Sequence, residues 1–376
     1  QAIAGFRPLV EQRPELANGL AAAFNRRSEI LHELGKTTQA LRDADTAVEL
    51  YGDIASGDPG RWEPLWALAL HHRSGLQQAL GKLEAAENDL RRSLSLYQPH
   101  RDVLRPRVRL DLVQAYLSRA QLATRRGDGL LARDDCQRCL ELLERFEEPW
   151  IELRVLQARA CTQLAEAHRL LEDDARALEA SDRATSAWRP LIEEGRLDLR
   201  GVYAQELTRR AALLHHLGQL QAAFEAVQPA VEMLLQMVEA EGRGDLVLGL
   251  SQSLILRGRV WMRRGRLESS RRDLSLAYHY LSNQSDQWGA EGSNAGLALM
   301  VDTVTLLAQL SLRAGHAEAA AEHLRSCLAW LDTEVESGGQ ENRALLESLL
   351  GRAEPEPQLA LEAHQRALKL YTQLVD

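Results

Sequence analysis

Two cysteines, Cys136 and Cys139, have the spacing of a redox pair or of half a zinc site. A tetrahedral zinc site needs further ligands, and no second cysteine pair or nearby histidine completes it. Cys139 also occupies a position that most copies of the repeat described below fill with alanine, and Cys327 does the same in a later copy. We therefore interpret these cysteines as small packing residues and expect no metal site.

A second motif, Gly35-Lys36-Thr37, ends like a phosphate-binding loop. That loop needs a glycine five residues before Gly35, where this chain has Ile30. It also needs a preceding strand, whereas the sequence predicts a preceding helix. We interpret the motif as the junction between two helices.

Two histidine pairs, His71-His72 and His215-His216, fall on predicted helices that would face a groove. Ordinary polar histidines explain them better than a metal site does. The sequence has no Gly-x-Ser-x-Gly motif and no dinucleotide-binding fingerprint. We expect no catalytic residue, no cofactor and no enzymatic activity.

Arginine supplies almost all of the positive charge, since lysine occurs only at positions 36, 82 and 369. Arginine recurs at regular intervals along the chain, and we call this series of residues the arginine stripe. In the middle of the chain, further arginines lie beside it. The candidate partner-binding residues are Arg27, Arg73, Arg119, Gln121, Arg125, Arg169, Arg209, Arg210, Arg257, Arg259 and Arg263. Guanidinium groups in such a row could bind the carboxylates of an extended peptide or of a partner helix. The alternative is that their stems pack along a helix seam and pair with acids of the adjacent repeat, such as Glu29 or Glu166.

The elements that position these residues are predicted to be helices. Ala, Leu, Arg, Glu and Gln dominate the sequence, and no run of alternating β-branched residues predicts a strand. Helix-ending glycine turns recur about 46 residues apart. They fall at Gly35, Gly81, Gly127, Gly218, Gly265 and Gly315, with Glu172 filling the gap. Each turn separates a first helix from a second helix.

Small residues repeat in register with these turns. Seven residues before each turn stand Ser28, Ser74, Ala120, Ala165, Ala211, Gly258 and Ala308. Five after it stand Ala40, Ala86, Ala132, Ala177, Ala223, Ser270 and Ala320, and twelve after it stand Ala47, Ser93, Cys139, Ala184, Ala230, Ala277 and Cys327. An eighth copy has Ser348, Ala360 and Ala367 around residues 354–356. Small side chains allow two antiparallel helices to approach closely.

This pattern resembles the tetratricopeptide repeat family over about residues 16–374. The resemblance implies an all-α solenoid of about eight antiparallel helix pairs, wound as a right-handed superhelix with the first helices lining a groove. The family's usual repeat of 34 residues is shorter than the copies here. Residues 1–14 are expected to be a remnant second helix, so that the chain starts mid-array. Residues 15–282 are predicted to form repeats 1–6, residues 283–296 a longer loop, and residues 297–376 repeats 7 and 8.

Charge is divided unevenly between the two helices of each repeat. The first helices of repeats 1–7 sum to about +10 and the second helices to about −17. If the first helices line the groove, a basic channel lies inside an acidic shell and would steer an acidic ligand. The leading hypothesis is a bacterial, cytoplasmic scaffold that binds an acidic peptide or partner segment.

Two other functions remain open from the sequence. The chain could be the sensor or regulatory array of a larger protein, such as a signalling NTPase, a transcription regulator or a caspase-like protease. It could also bind single-stranded nucleic acid, although few aromatic residues accompany the arginines and the net charge is −9. No stretch is judged apolar enough to span a bilayer, so no membrane partner is expected.

Overall fold

The computed structural model describes residues 16–98, 106–146, 150–283, 290–334 and 340–375. This part of the chain contains sixteen α-helices and two short 3-10 turns, and it contains no strand. The helices of the first four repeats are α1 (Ala17–Glu33), α2 (Thr37–Gly57), α3 (Pro59–Ala79), α4 (Leu83–Tyr97), α5 (Pro106–Arg125), α6 (Gly129–Leu143), α7 (Ile151–Leu170) and α8 (Asp174–Glu193). Those of the last four are α9 (Arg200–His216), α10 (Leu220–Glu239), α11 (Val247–Arg263), α12 (Leu267–Asn283), α13 (Ala290–Arg313), α14 (Ala317–Glu334), α15 (Gln340–Ala353) and α16 (Pro357–Val375). The predicted all-α fold of eight helix pairs is confirmed.

The turns within the helix pairs have one backbone geometry. The six turn glycines have φ between 72° and 78°, the left-handed region that a glycine adopts without a Cβ clash. At Gly35, the N–H of the following Lys36 donates to the carbonyl of Leu31 at 2.8 Å, which satisfies a carbonyl that the helix end would otherwise leave free. Glu172 adopts the same conformation with φ 56° and is the only non-glycine residue at positive φ among the described residues.

The small residues of the predicted seam are where the helices of a pair meet. Ser28, Ala40 and Ala47 of the first repeat are fully buried. The Ser28 hydroxyl donates to the Ala40 carbonyl across the α1–α2 contact at 2.7 Å. In the sixth repeat the corresponding two positions are joined in the opposite direction, because the Ser270 hydroxyl of α12 donates to the Gly258 carbonyl of α11 at 2.8 Å. A larger side chain at these positions would separate the two backbones.

The helices pack into two compact units, Gln1–Gly195 and Arg196–Asp376. In each unit, consecutive helices contact one another. In the first unit α3 also contacts α5, and α5 contacts α7. In the second unit α9 contacts α11, α11 contacts α13, and α13 contacts α15. Each unit therefore holds four helix pairs whose first helices are neighbours.

Two segments of the predicted organisation differ or fall outside this description. The longer loop expected over residues 283–296 is partly helical, because α12 extends to Asn283 and α13 begins at Ala290. Residues 284–289 lie outside the described residues, as does the expected remnant helix over residues 1–14.

The expectation that no stretch is apolar enough to span a bilayer was wrong by length and composition, because helix α13 contains such a stretch, Ala295–Arg313, with a mean hydropathy of 1.6. It packs against α12, α14, α11 and α15, and 56% of the stretch is buried. Met300, Val304 and Ala308 belong to the core cluster of the second unit. Its apolar composition is that of a helix with neighbours on several sides.

Candidate functional site

Four of the candidate arginines form one recurring contact. Each belongs to a first helix and donates through Nε and Nη2 to both carboxylate oxygens of an aspartate sixteen residues later on the second helix. The pairs are Arg27–Asp43 (2.5 and 2.6 Å), Arg73–Asp89 (2.7 and 2.7 Å), Arg119–Asp135 (2.6 and 2.7 Å) and Arg257–Asp273 (2.7 and 2.7 Å). We call these four pairs the latches. Paired, planar geometry of this kind is the strong form of an arginine–carboxylate contact.

Three of the four latches are largely removed from water, and the exception is the Arg27–Asp43 latch. The side chains of Arg119 and Arg257 are only 15% and 13% exposed, and that of Asp135 is 1% exposed. The hydrogen bond with Asp135 raises the pKa of the Arg119 guanidinium. Burial raises the pKa of the Asp135 carboxyl, even though Arg119 acts in the opposite direction. At Arg27, which is 51% exposed, solvent weakens the same contact.

Two latches also reach the preceding repeat. Arg73 Nη1 donates to Asp45 of α2 at 3.0 Å, and Arg257 Nη1 donates to Gln228 of α10 at 2.9 Å. Both acceptors stand ten residues after the turn of the preceding repeat. These guanidinium groups therefore join three helices.

The acid partners differ from those that the sequence suggested. The second interpretation of the arginine stripe paired it with acids of the adjacent repeat, such as Glu29 or Glu166. In the structure Glu29 pairs with Arg26, and Glu166 pairs with Arg169, each within one helix. The latch partners are instead aspartates of the same repeat, and Asp45 is the only acid of a neighbouring repeat that contacts a latch arginine in the described part of the chain.

The other repeats lack a latch. The two latch positions hold Leu164 and Ala180 in repeat 4, Arg210 and Ala226 in repeat 5, and Leu307 and His323 in repeat 7. In repeat 8 the two positions hold Glu347 and Ala363, and Arg366 of α16, nineteen residues after Glu347, donates to the Glu347 carboxylate at 2.9 Å.

The remaining candidates of the first unit lie near the ends of α5 and α7. Arg125 is exposed in the last turn of α5, with no ion-pair or hydrogen-bond partner among the described residues. Gln121 lies one turn before it and is partly buried. Arg169 is 51% exposed, and its one ion-pair partner among the described residues is Glu166, three residues before it. Charge on this part of the chain is therefore available to a partner.

The remaining candidates of the second unit lie on α9 and α11 and have different surroundings. Arg209 contacts Glu206 at 3.4 Å and is 47% exposed. Arg259 pairs with Asp302 of α13 at 2.5 Å. Arg263 is exposed and donates to the neutral backbone carbonyl of His215 at 2.7 Å, which leaves its charge uncompensated by that contact. Arg210 is partly buried.

Polar side chains connect neighbouring first helices. His72 Nε2 lies 3.0 Å from the Ser28 hydroxyl, and His71 Nε2 lies 2.9 Å from the Ser118 hydroxyl. Burial lowers the pKa of His71 to about 4, so the ring is neutral at pH 7. These histidines serve as contacts between repeats.

Solved structures with a similar fold are consistent with this arrangement of helix pairs. A Signal Transduction ATPase with Numerous Domains protein with a tetratricopeptide repeat sensor, from Pyrococcus horikoshii, superposes with a TM-score of 0.58 at 11% identity, over 96% of this chain and 53% of that chain. This chain has the tetratricopeptide-repeat fold. It spans about half the length of that protein.

Further tetratricopeptide-repeat comparisons agree on the fold. BtubC from P. vanneervenii matches with a TM-score of 0.52 at 20% identity, over 66% of this chain and 92% of that chain. A Rap protein complexed with Competence and Sporulation Factor matches with a TM-score of 0.50 at 14% identity, over 95% of this chain and 93% of that chain. No protein-family model and no curated protein sequence matches this chain.

The cysteines of this tetratricopeptide-repeat chain lie in the core. Cys136, Cys139, Cys161 and Cys327 are free and buried. Cys139 donates weakly to the Val113 carbonyl at 3.4 Å. Burial raises the pKa of the Cys139 thiol well above its usual range, so it is protonated and unreactive. Within the described ranges, no group of three or more His, Cys, Asp or Glu side chains could hold a metal ion.

Proposed function

We propose that this chain is a cytoplasmic protein-interaction scaffold that binds an acidic peptide or partner segment through first-helix arginines outside the latches. The observation that carries the proposal is the contrast between Arg119 and Arg125 on α5. Arg119 is closed into a buried pair with Asp135, whereas Arg125 is exposed and has no partner in the described part of the chain. Arg125 is thus a cation of α5 that an external carboxylate can bind.

The surroundings of Arg125 support this assignment. Gln121 lies one turn earlier on α5 and can add an amide donor. α7 contacts α5, and Thr124 Oγ1 lies 3.5 Å from Gln163 Oε1 between them. Arg169 in the last turn of α7 gives up only an exposed pair with Glu166 when it binds another carboxylate, and such pairs contribute little. The binding patch that we propose in the first unit is Gln121, Arg125 and Arg169.

The charge division between helices also supports an acidic partner. The first helices of repeats 1–7 sum to about +10 although the whole chain has a net charge of −9. Such a separation steers an acidic segment toward the first helices and repels it from the second helices. The four free cysteines are compatible with a reducing compartment, which supports our placing the protein in the cytoplasm.

The test uses a fluorescein-labelled nonapeptide of alternating Glu and Ala, with its Gln and Ala counterpart as the neutral control. Fluorescence anisotropy is measured at low salt with the whole chain and with the Arg125→Glu/Arg169→Glu variant. We expect the acidic peptide to bind more tightly than the neutral one, and the variant to bind it at least about tenfold more weakly, because two charge-assisted contacts become repulsive.

The matched control is Arg91→Glu, which changes one exposed arginine of a second helix. We expect it to leave the affinity unchanged. Equal binding of both peptides, or equal weakening by Arg91→Glu and by the double variant, would show that the patch is not a carboxylate site. Circular dichroism establishes that each variant is folded.

A second candidate function is that of a sensor array within a larger protein. The similarity that favours it is that to the Pyrococcus horikoshii protein, because nearly all of this chain superposes on about half of a protein that has a tetratricopeptide repeat sensor. An antibody raised against this chain tests the idea on native extract. A band far above 42.0 kDa supports a larger protein, and a band at that mass excludes it.

A further inference from the structure

The fourth repeat differs from its neighbours at the two latch positions. Repeats 1 to 3 place an arginine eight residues before the turn and an aspartate eight residues after it, whereas repeat 4 has Leu164 and Ala180 there. Neither replacement fills the volume of a guanidinium–carboxylate pair. The loss of both charges together avoids the large cost of leaving one of them buried alone.

A cleft of about 280 Å³ lies at this position in the first unit. Leu164 of α7 and Ala180 of α8 line it, together with Gln137 of α6. Gln137 stands ten residues after the turn of repeat 3, the same position from which Asp45 and Gln228 accept hydrogen bonds from latch arginines. The cleft thus occupies the place that a guanidinium group fills in the latched repeats.

The walls of the cleft carry carboxylates that outnumber its arginines. Glu141 and Glu144 come from the end of α6 and Glu179 comes from α8, and none of the three has a hydrogen-bond or ion-pair partner in the described ranges. Arg176 and Arg183 also line it. Three acids against two arginines leave the cleft with a net negative charge, and Leu140 with Leu164 adds an apolar wall suited to a methylene stem.

A buried polar atom without a partner lies at the same cleft. His168 lines it and is only 6% exposed, and its Nδ1 has no hydrogen-bond partner. Burial lowers the pKa of this ring, so it is neutral at pH 7. A buried nitrogen without a partner costs free energy that a ligand able to hydrogen-bond with it would recover. In the tautomer with the proton on Nε2, Nδ1 accepts from an N–H donor.

We propose that the cleft between α6, α7 and α8 binds a guanidinium group, as an arginine side chain of a partner or as a free guanidino compound. The bound group replaces the missing latch arginine. Its N–H groups donate to Gln137, to the Glu141 and Glu179 carboxylates and to His168, and its stem lies on Leu164. The site is separate from the proposed acidic-peptide patch and takes a ligand of opposite charge.

The experiment measures binding of N-acetyl-arginine amide to the whole chain by NMR or calorimetry. N-acetyl-citrulline amide is the neutral control of the same shape, and free L-arginine distinguishes a metabolite from a peptide side chain. We expect the arginine amide to bind at least about fivefold more tightly than the citrulline amide, because only the guanidinium carries the charge that the carboxylates attract. Preference for free L-arginine over the amide assigns the site to a metabolite, and the reverse assigns it to a partner segment.

Variants locate the binding. We expect Glu141→Gln/Glu179→Gln to weaken binding of the arginine amide about tenfold. We expect Glu193→Gln, at an exposed residue of α8 outside the cleft, to leave this binding unchanged. Leu164→Arg with Ala180→Asp would fill the cleft with an intramolecular latch and abolish binding while the protein stays folded. Equal binding of the arginine and citrulline amides, or binding unaffected by the two glutamate changes, overturns the proposal. The proposal is also overturned if N-acetyl-aspartate amide binds more tightly than the arginine amide and Arg183→Gln abolishes that binding. Arg125→Glu/Arg169→Glu should not alter any of these results, so the two sites fail or succeed separately.

Discussion

Arg119 and Asp135 face each other across the α5–α6 pair, sixteen residues apart in sequence, and are joined by hydrogen bonds of 2.6 and 2.7 Å. The guanidinium plane matches the carboxylate in a fixed relative orientation, so the contact constrains the rotation and the axial position of α5 against α6. Small residues in the seam allow close approach but leave the helices free to slide. The latch adds the directional contact that the seam lacks.

Removal of one latch partner should therefore be costly. We expect Asp135→Ala to lower the free energy of unfolding by about 3 kcal/mol, because it leaves the Arg119 charge mostly buried without a counterion. The apolar double variant Arg119→Met/Asp135→Leu should lose much less, since no charge stays buried. Urea denaturation of the whole chain measures both.

The exposed arginine Arg91 gives the comparison for that experiment. Its pair with Glu87 lies one turn away on the same helix, and its side chain is 63% exposed, so Arg91→Ala should change stability by less than about 0.5 kcal/mol. A loss in Asp135→Ala no larger than in Arg91→Ala would mean that the latch does not stabilise the pair of helices.

The latches show what the sequence could and could not predict. In repeats 1–7 the turn register predicted where helices end and which small residues are buried, because both depend on local backbone geometry and on periodicity. In the eighth copy Ser348 and Ala360 are only partly buried. The arginine of each latch was found by the same register. Its aspartate was visible too, eight residues after the turn, but the pairing depends on how far one helix is rotated about the other, which periodicity does not determine. Asp43, Asp89, Asp135 and Asp273 were therefore missed.

The sequence did not predict the division into two units or the cleft, and the reasons are related. The chain divides after Gly195, where the sequence has no proline-rich or low-complexity linker to mark a boundary. The cleft arises because repeat 4 lacks the arginine and the aspartate of a latch and has Leu164 and Ala180 at their positions. An absence has meaning only once the function of the residues in the other repeats is known.

The turn of the fourth repeat offers a stabilising substitution. Glu172 has φ 56°, which costs a residue with a Cβ about 1 kcal/mol relative to glycine. Its side chain is exposed and has no partner among the described residues. We expect Glu172→Gly to raise the melting temperature by about 2 °C. Gly127→Ala introduces the same strain at the preceding turn and should lower it by a similar amount. No change in either direction would mean that these turns relax to another conformation.

Two glycines in helices should respond to alanine in opposite directions. Gly75 lies inside α3 and is exposed, and a Cβ at this position would have no atom of another helix within 4 Å, so Gly75→Ala should stabilise the protein by about 0.5–1 kcal/mol. Gly129 begins α6, where a Cβ would lie 3.0 Å from the Ala167 carbonyl oxygen of α7. That backbone atom cannot move without shifting α7, so Gly129→Ala should destabilise by about 1–2 kcal/mol. Thermal denaturation followed by circular dichroism distinguishes the two signs.

Acid should destabilise the contact between α3 and α5 through His71. Burial lowers the pKa of His71 to about 4, below the value of about 6.5 for a histidine in the unfolded chain. Between these two values the unfolded state binds a proton that the folded state does not, so stability falls as the pH decreases from about 6.5 to about 4 and the loss is complete below that. The ring is partly accessible to solvent, so we expect this histidine to account for about 2 kcal/mol.

The variant that isolates this effect is His71→Gln, because glutamine can keep a hydrogen bond to Ser118 but does not titrate. Urea unfolding at pH 7, 5.5 and 4.5 should give a smaller loss of stability for the variant than for the natural chain, with similar stabilities at pH 7. The exposed His216 provides the control, since His216→Gln makes the same substitution at an exposed residue at the end of α9. The prediction is contradicted if His71→Gln, His216→Gln and the natural chain all show the same pH dependence. In that case His71 takes up its proton without breaking its contact with Ser118, and acid acts on other groups.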